Sequence, residues 1–157
     1  PAGVKACVYP GKGYSATIAL SPDSVAPSVS ITDDERKIVM SRLGNRLRVA
    51  GTAEFNGYNK DIRADRIRPL IEWVQQCFPG VSTRSVVPWA GLRPMMPDML
   101  PRVGPGNKPC VFYNTGHGHL GWTLSAVTAD MVGDVVLQSM GSASRQSRPA
   151  TLTTASA

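Results

Sequence analysis

The sequence predicts an α+β fold: a mainly antiparallel sheet carrying one long helix, followed by a C-terminal strand, glycine loop and helix. Three observations predict it. Two β-rich runs, Lys37–Arg42 and Arg46–Phe55, are separated only by Leu43-Gly44-Asn45, which is a hairpin signal. In the second run Leu47, Val49 and Gly51 alternate with Arg46, Arg48 and Ala50, as in a half-buried antiparallel strand. Near the C-terminus the apolar run Cys110-Val111-Phe112-Tyr113 leads into Gly116-His117-Gly118-His119-Leu120-Gly121 and then into a segment of helical period from Trp122.

Taken in order, Val4–Tyr9 and Tyr14–Leu20 read as short strands split by Pro10-Gly11-Lys12-Gly13, where Gly and Pro enforce a turn or a bulge. Ser21–Pro27 is a loop, and Val29–Thr32 a brief strand, before the hairpin. Asp61–Phe78 reads as a helix because Ile67, Leu70, Ile71, Val74 and Phe78 recur at helical spacing. Asp65 is its expected cap, Pro69 fits only in a first turn, and Pro79-Gly80 ends it. Thr83–Val87 is the next strand, and the Pro- and Met-rich stretch Met95–Gly104 the next loop. The last helix is expected to end near Leu137, with Leu124, Val127, Met131 and Val135 on one face. Residues 139–157, rich in Ser, Thr and Ala, are expected to be disordered.

Composition limits the function classes. The 157 residues are 42% hydrophobic and 18% charged, which is enough apolar material for a core and argues against global disorder. The net charge of +6 is compatible with an anionic ligand, but the basic residues are spread along the chain rather than clustered, so no nucleic-acid partner is expected. Arg63, Arg66 and Arg68 read as the solvated face of the helix. Cys7, Cys77 and Cys110 are far apart and form no Cys/His cluster, so no metal site is expected; an odd count without a framework suits a reducing compartment. No signal peptide and no membrane-spanning run is recognisable.

The glycine loop has the spacing of a dinucleotide fingerprint, yet no second strand and no acidic residue follow at the distance that an ADP-binding βαβ unit needs. The start of the last helix, at Gly121, Trp122 and Thr123, still offers unpaired N–H groups and partial positive charge, which suit an anion or a group that becomes anionic during reaction. Such a loop also serves as an ordinary strand-to-helix connection. Arg93, in Gly91-Leu92-Arg93-Pro94, can grip a carboxylate with a planar fork, although a single Arg is more commonly a surface ion-pair member.

The order and spacing of Trp89-Ala90-Gly91-Leu92-Arg93-Pro94-Met95-Met96-Pro97-Asp98, Pro101-Arg102-Val103-Gly104 and Asn114-Thr115-Gly116-His117-Gly118-His119-Leu120-Gly121-Trp122-Thr123 resemble the D-amino-acid oxidase superfamily of FAD-dependent oxidoreductases, in particular its bacterial D-amino-acid dehydrogenase branch. Tyr9-Pro10-Gly11-Lys12-Gly13-Tyr14-Ser15 and Arg48-Val49-Ala50-Gly51-Thr52-Ala53-Glu54 resemble strands of its substrate domain. Met99 stands where relatives often have Gly.

The resemblance implies oxidative deamination of D-amino acids to 2-oxo acids and ammonia with FAD. It implies that Arg93 binds the substrate carboxylate, that Met95 and Met96 line the side-chain pocket, and that Gly116, His117, Gly118, His119, Leu120, Gly121, Trp122 and Thr123 meet the flavin ring. No side chain is expected to act as an obligatory base. The implied organisation is a partial substrate-binding domain (1–104), the C-terminal strand–loop–helix of the FAD-binding domain (105–138) and the tail (139–157). The N-terminal FAD-binding half is then a missing partner, without which the chain is expected to be inactive. The acceptor is open between oxygen and a quinone or respiratory chain, and the implied location is the bacterial cytoplasm or the periphery of the inner membrane. The alternatives are another amine oxidase of the superfamily, of glycine or sarcosine oxidase type, and a non-catalytic basic binding module.

Overall fold

A computed structural model describes residues 6–146. The expected class holds: a mostly antiparallel sheet with a helix, then a strand–loop–helix. The elements are β1 (Tyr9–Ala19), β2 (Ile31–Asp33), β3 (Ile38–Leu43), β4 (Arg46–Glu54), α1 (Ala64–Cys77), β5 (Val86–Met95), β6 (Arg102–Pro105), β7 (Phe112–Thr115) and α2 (Gly121–Gln146). The chain forms two compact units, one of Tyr9–Pro94 and the other of the residues from Met95 onward with the segment before Tyr9.

In the first unit the strand order is β2-β3-β4-β1-β5. The β3–β4 turn closes on the pair Leu43↔Arg46, with Gly44 at φ +62°, a left-handed conformation that matches the twist of a two-residue hairpin. Tyr14, Ala16, Ile18, Met40, Leu47 and Val49 form one face of the sheet, and Ile67, Leu70, Trp73 and Val74 of α1 are buried in the same cluster. The expected helix face is there. Trp73, absent from the periodic reading, joins it, and Ile71 and Phe78 are only partly buried.

Several local expectations change. Pro10–Gly13 is not a break, for β1 runs through it. The irregularity lies on β4: Gly13 pairs with Ala53 and Tyr14 with Gly51, so Thr52 is the extra residue of a bulge, held at φ +54°. Its hydroxyl donates to the Arg66 carbonyl at 3.2 Å. Asp65 does not cap α1. Arg63 holds the cap position without a side-chain capping bond to the helix backbone, and Asp65 lies in the first turn, where it accepts from the Arg63 guanidinium at 3.0 and 2.9 Å. Pro69 lies beyond the first turn, where its missing N–H leaves the Asp65 carbonyl without a helical donor. The fifth strand begins at Val86 rather than Thr83 and carries the whole Trp89–Pro94 segment.

In the second unit β6 and β7 pair antiparallel, and α2 packs against both. β6 replaces the end of the expected Met95–Gly104 loop; its pattern was hidden by Gly104 and Pro105. Helix α2 runs through residues 139–146, which were expected to be disordered; the rest of that tail lies outside the described residues. The buried stripe is also rotated. Leu124, Val132 and Val135 are partly covered and Thr128 is buried, whereas Val127 and Met131 are each half exposed. Among the described residues, no helix is long and apolar enough to cross a membrane.

Candidate active site

Strand β5 presents Trp89, Gly91 and Arg93 at alternate positions, hence toward one face of the sheet. The Trp89 indole lies over Gly91, and the Arg93 guanidinium lies over Gly13 of β1, in each case where the glycine's Cβ would otherwise stand. The Arg48 guanidinium stacks on the Trp89 ring, 5.4 Å from its centroid, and donates to Ser15 Oγ at 3.0 Å. Among the described residues, neither Arg93 nor Arg48 has a carboxylate within ion-pair distance. An arginine so placed keeps its donor fork for a ligand. Sequence reasoning singled out Arg93 as a candidate and did not single out Arg48, Trp89 or Gly13, the side chains and backbone that pack along the same sheet face. The alternation Arg46, Arg48, Ala50 marked Arg48 as facing away from the core, but its stacking partner lies on a strand distant in sequence.

The other face of β1 carries a buried charged cluster. Lys12 Nζ is 2.9 Å from Glu54 Oε2, and the Tyr14 hydroxyl donates to the same oxygen. Lys12 also donates to the Asp61 carbonyl at 3.1 Å, and Asn56 Nδ2 to Glu54 Oε1 at 3.3 Å. The Thr52 bulge makes this possible. It shifts the alternation of β4 by one, so Glu54 rather than Ala53 continues the inward series Leu47, Val49, Gly51. Hydrogen bonds from Tyr14 and Lys12 hold the Glu54 carboxyl at about 2. Burial opposes the Lys12 ammonium, but its bonds to Glu54 and Tyr14 outweigh that and raise its pKa; burial and the bond to Glu54 raise that of Tyr14.

In the second unit Gly116 and Gly118 adopt φ +82° and +57°, which lets the chain reverse between β7 and α2. Met95 pairs with His117 as an isolated antiparallel bridge, and the Met96 side chain occupies the space a Cβ on Gly116 would need. Thus Met96 packs on the glycine loop. His117 Nε2 lies 3.1 Å from Thr128 Oγ1, whose proton is directed to the Leu124 carbonyl at 2.9 Å, so His117 Nε2 is assigned as the donor. His117 is thereby tied to α2, whereas His119 is exposed. The helical ladder of α2 opens with Leu124 N–H donating to the Leu120 carbonyl at 2.9 Å, which leaves the N–H groups of Gly121, Trp122 and Thr123 in the open first turn. No acidic side chain stands there, and no atom lies within 4 Å of a Cβ built on Gly118. A partly exposed glycine backbone at a helix N-terminus, as at Gly118 and Gly121, fits the electron-rich edge of a ring that gains negative charge on reduction. Trp122 and Leu120 are exposed beside it, Trp122 at 94%.

Two grooves of about 520 and 320 Å³ flank α1 in the first unit; neither is lined by Arg93. Among the described residues no group of three or more His, Cys, Asp or Glu could hold a metal.

The family model described as FAD dependent oxidoreductase (DAO) matches residues 2–135. The chain is 67% identical over 133 residues to D-amino acid dehydrogenase 3 of Mesorhizobium japonicum, covering 82% of this chain and 32% of the relative. It is 49% identical over 137 residues to the D-amino acid dehydrogenase of Dechloromonas aromatica, covering 87% and 33%. The chain thus spans about a third of the length of these relatives. Glycine oxidase from Geobacillus kaustophilus shares the fold with a TM-score of 0.75 at 24% identity, over 87% of this chain and 37% of that one. Iminodiacetate oxidase from Chelativorans does so with a TM-score of 0.76 at 19% identity, over 87% and 38%. A family match over most of the chain, with relatives this similar, establishes that the chain belongs to the FAD dependent oxidoreductase (DAO) family.

Proposed function

We propose that this chain is the substrate-binding and ring-facing portion of an FAD-dependent D-amino acid dehydrogenase. The observation that carries the reading is Arg93: a strand-borne guanidinium, resting on backbone, with no carboxylate of its own among the described residues. It supplies two parallel donors to a substrate carboxylate and so fixes the α-carbon in orientation. Met95 and Met96 border the side chain of the substrate, although the packing of Met96 on Gly116 makes its first role support of the loop. Backbone N–H groups at the start of α2 favour negative charge beside Gly118–Thr123.

FAD, when bound, would supply the two-electron acceptor for the hydride of the substrate α-carbon. Departure of the hydride from the neutral-amine form lets the nitrogen lone pair form the C=N bond as an iminium, with no proton removed in that step, and water then adds to release ammonium and the 2-oxo acid. No residue of this chain is required as base, and His117, committed to Thr128, acts by holding the loop on α2. In this reading the remaining FAD-binding part covers the exposed Trp122 and Leu120, and the enzyme works in the bacterial cytoplasm or peripherally at the inner membrane, delivering electrons to a quinone.

The test is a joined protein: this chain fused to the part of the Mesorhizobium japonicum relative that lies outside the matched segment. It should release ammonia and pyruvate from D-alanine in the presence of an artificial electron acceptor, and none from L-alanine. Turnover of glycine or sarcosine in preference to D-alanine would instead favour the glycine oxidase type.

A further inference from the structure

We infer that Gly13 is a positioning residue for Arg93: a side-chain-free shelf on β1 that sets where the guanidinium stands, clamped from the other side by Lys12, Tyr14 and Glu54. The inference rests on the proposed role of Arg93. Three observations carry it. The three heavy atoms nearest a Cβ built on Gly13 are all guanidinium atoms of Arg93. The backbone at Gly13 is not among the left-handed glycines of the chain, so conformation does not demand glycine here. Lys12 and Tyr14, the flanking residues, both bond Glu54 from the opposite face and are each 1% exposed, so this stretch of β1 has little freedom to give way.

A methyl group at position 13 therefore meets first the far end of a long and flexible side chain. The molecule accommodates it by moving the guanidinium, not the strand. The cost falls on the placement of positive charge and leaves the core intact. That separates Gly13 from a glycine kept for folding. It also gives the buried Lys12–Glu54–Tyr14 cluster, distant from the reacting atoms in chemistry, a role in the reading of the substrate carboxylate.

The experiment uses the joined, FAD-loaded protein. Binding of acetate, a carboxylate that cannot be oxidised, is followed by perturbation of the flavin absorbance, alongside steady-state kinetics with D-alanine and the melting temperature. Gly13→Ala should raise the acetate Kd and the KM by about 10- to 100-fold, the scale expected when a binding group is misplaced by about 1 Å, with kcat and melting temperature little changed. In an Arg93→Ala background the same substitution should add nothing. If Gly13→Ala fails to fold, the Gly13→Ala/Arg93→Ala pair decides: with the guanidinium gone the methyl has room, and the double variant should fold and melt like Arg93→Ala alone. Unchanged acetate binding in Gly13→Ala, or an equal further loss in the Arg93→Ala background, overturns the inference while leaving Arg93 as the carboxylate residue. Unchanged binding in Arg93→Ala itself overturns the underlying role of Arg93, and the inference with it.

Discussion

The two units of this chain bury themselves very differently. In Tyr9–Pro94 a single cluster holds strands and helix together, and Tyr14, Ile18, Met40, Leu47, Val49, Leu70 and Val74 are sealed from solvent. From Met95 onward, among the described residues, only Tyr113 and Thr128 of the larger side chains are buried, while Trp122, Val127, Met131, Leu137 and Met140 of α2 lie half exposed or more. Both units obey the same periodicity rules. The first has a sheet face and a helix stripe that satisfy each other. The second has a helix apolar around much of its circumference and, among the described residues, only a two-stranded ribbon to cover it. The difference teaches that the first unit is a scaffold and the second a surface, and that Arg93 belongs to the scaffold while the glycine loop belongs to the surface.

The sharpest way to strain this comparison is in function. In the joined protein, Arg93→Ala should lower kcat/KM for D-alanine by about 30-fold or more, from the roughly 2–5 kcal/mol lost when one partner of a desolvated, hydrogen-bonded charge pair is truncated. His117→Gln, which keeps a donor toward Thr128, should retain most of it. Steady-state kinetics on both variants checks this.

Stability gives the next contrast. Leu70→Ala, in the sealed core, should cost about 2–5 kcal/mol in denaturant unfolding, whereas Leu137→Ala, at 68% exposure, should fall within about 0.5 kcal/mol of zero in this chain by itself. In the joined protein Leu137→Ala should become costly if α2 is covered there. Equal costs in the two settings would remove the distinction between scaffold and surface.

The charged cluster predicts a pH dependence confined to the scaffold. Glu54 titrates at about 2 when folded, below its usual 4.5, so its contribution is complete above pH 4.5 and is lost as pH falls toward 2. Lys12 and Tyr14 are raised, so their contributions are complete below about pH 10 and are lost as pH rises above it. Melting curves of Glu54→Gln should be lower than wild type near neutral pH and should converge on it toward pH 2.

How much of this was legible in the sequence follows from the reach of each signal. The β3–β4 hairpin, α1 and the strand–loop–helix were visible because each is set by residues close in sequence: Gly44, the stripe Ile67–Val74, and Gly116 to Gly121. The Thr52 bulge was not, since it is defined by register against β1, and with it went the inward turn of Glu54. The end of α2 was misjudged because Ser139, Gly141, Ser142 and Ser144 are weak helix formers whose state is decided by the helix that precedes them. Arg93 could be picked out by motif, but Gly13 beneath it, 80 positions earlier, could not. Met99 shows the reverse case. Its position favours Gly by resemblance, and the structure holds it at φ +62°. Met99→Gly should therefore be neutral or stabilising, by at most about 1 kcal/mol in denaturant unfolding.

The most direct measurement of the central claim is the visible absorbance spectrum of the joined protein, recorded anaerobically before and after D-alanine and then, in a second sample, L-alanine. A flavin band bleached by the D-isomer alone is the predicted result. A joined protein that folds and shows no flavin band, or one bleached by neither isomer, would contradict it and leave the glycine loop as a plain connection between β7 and α2.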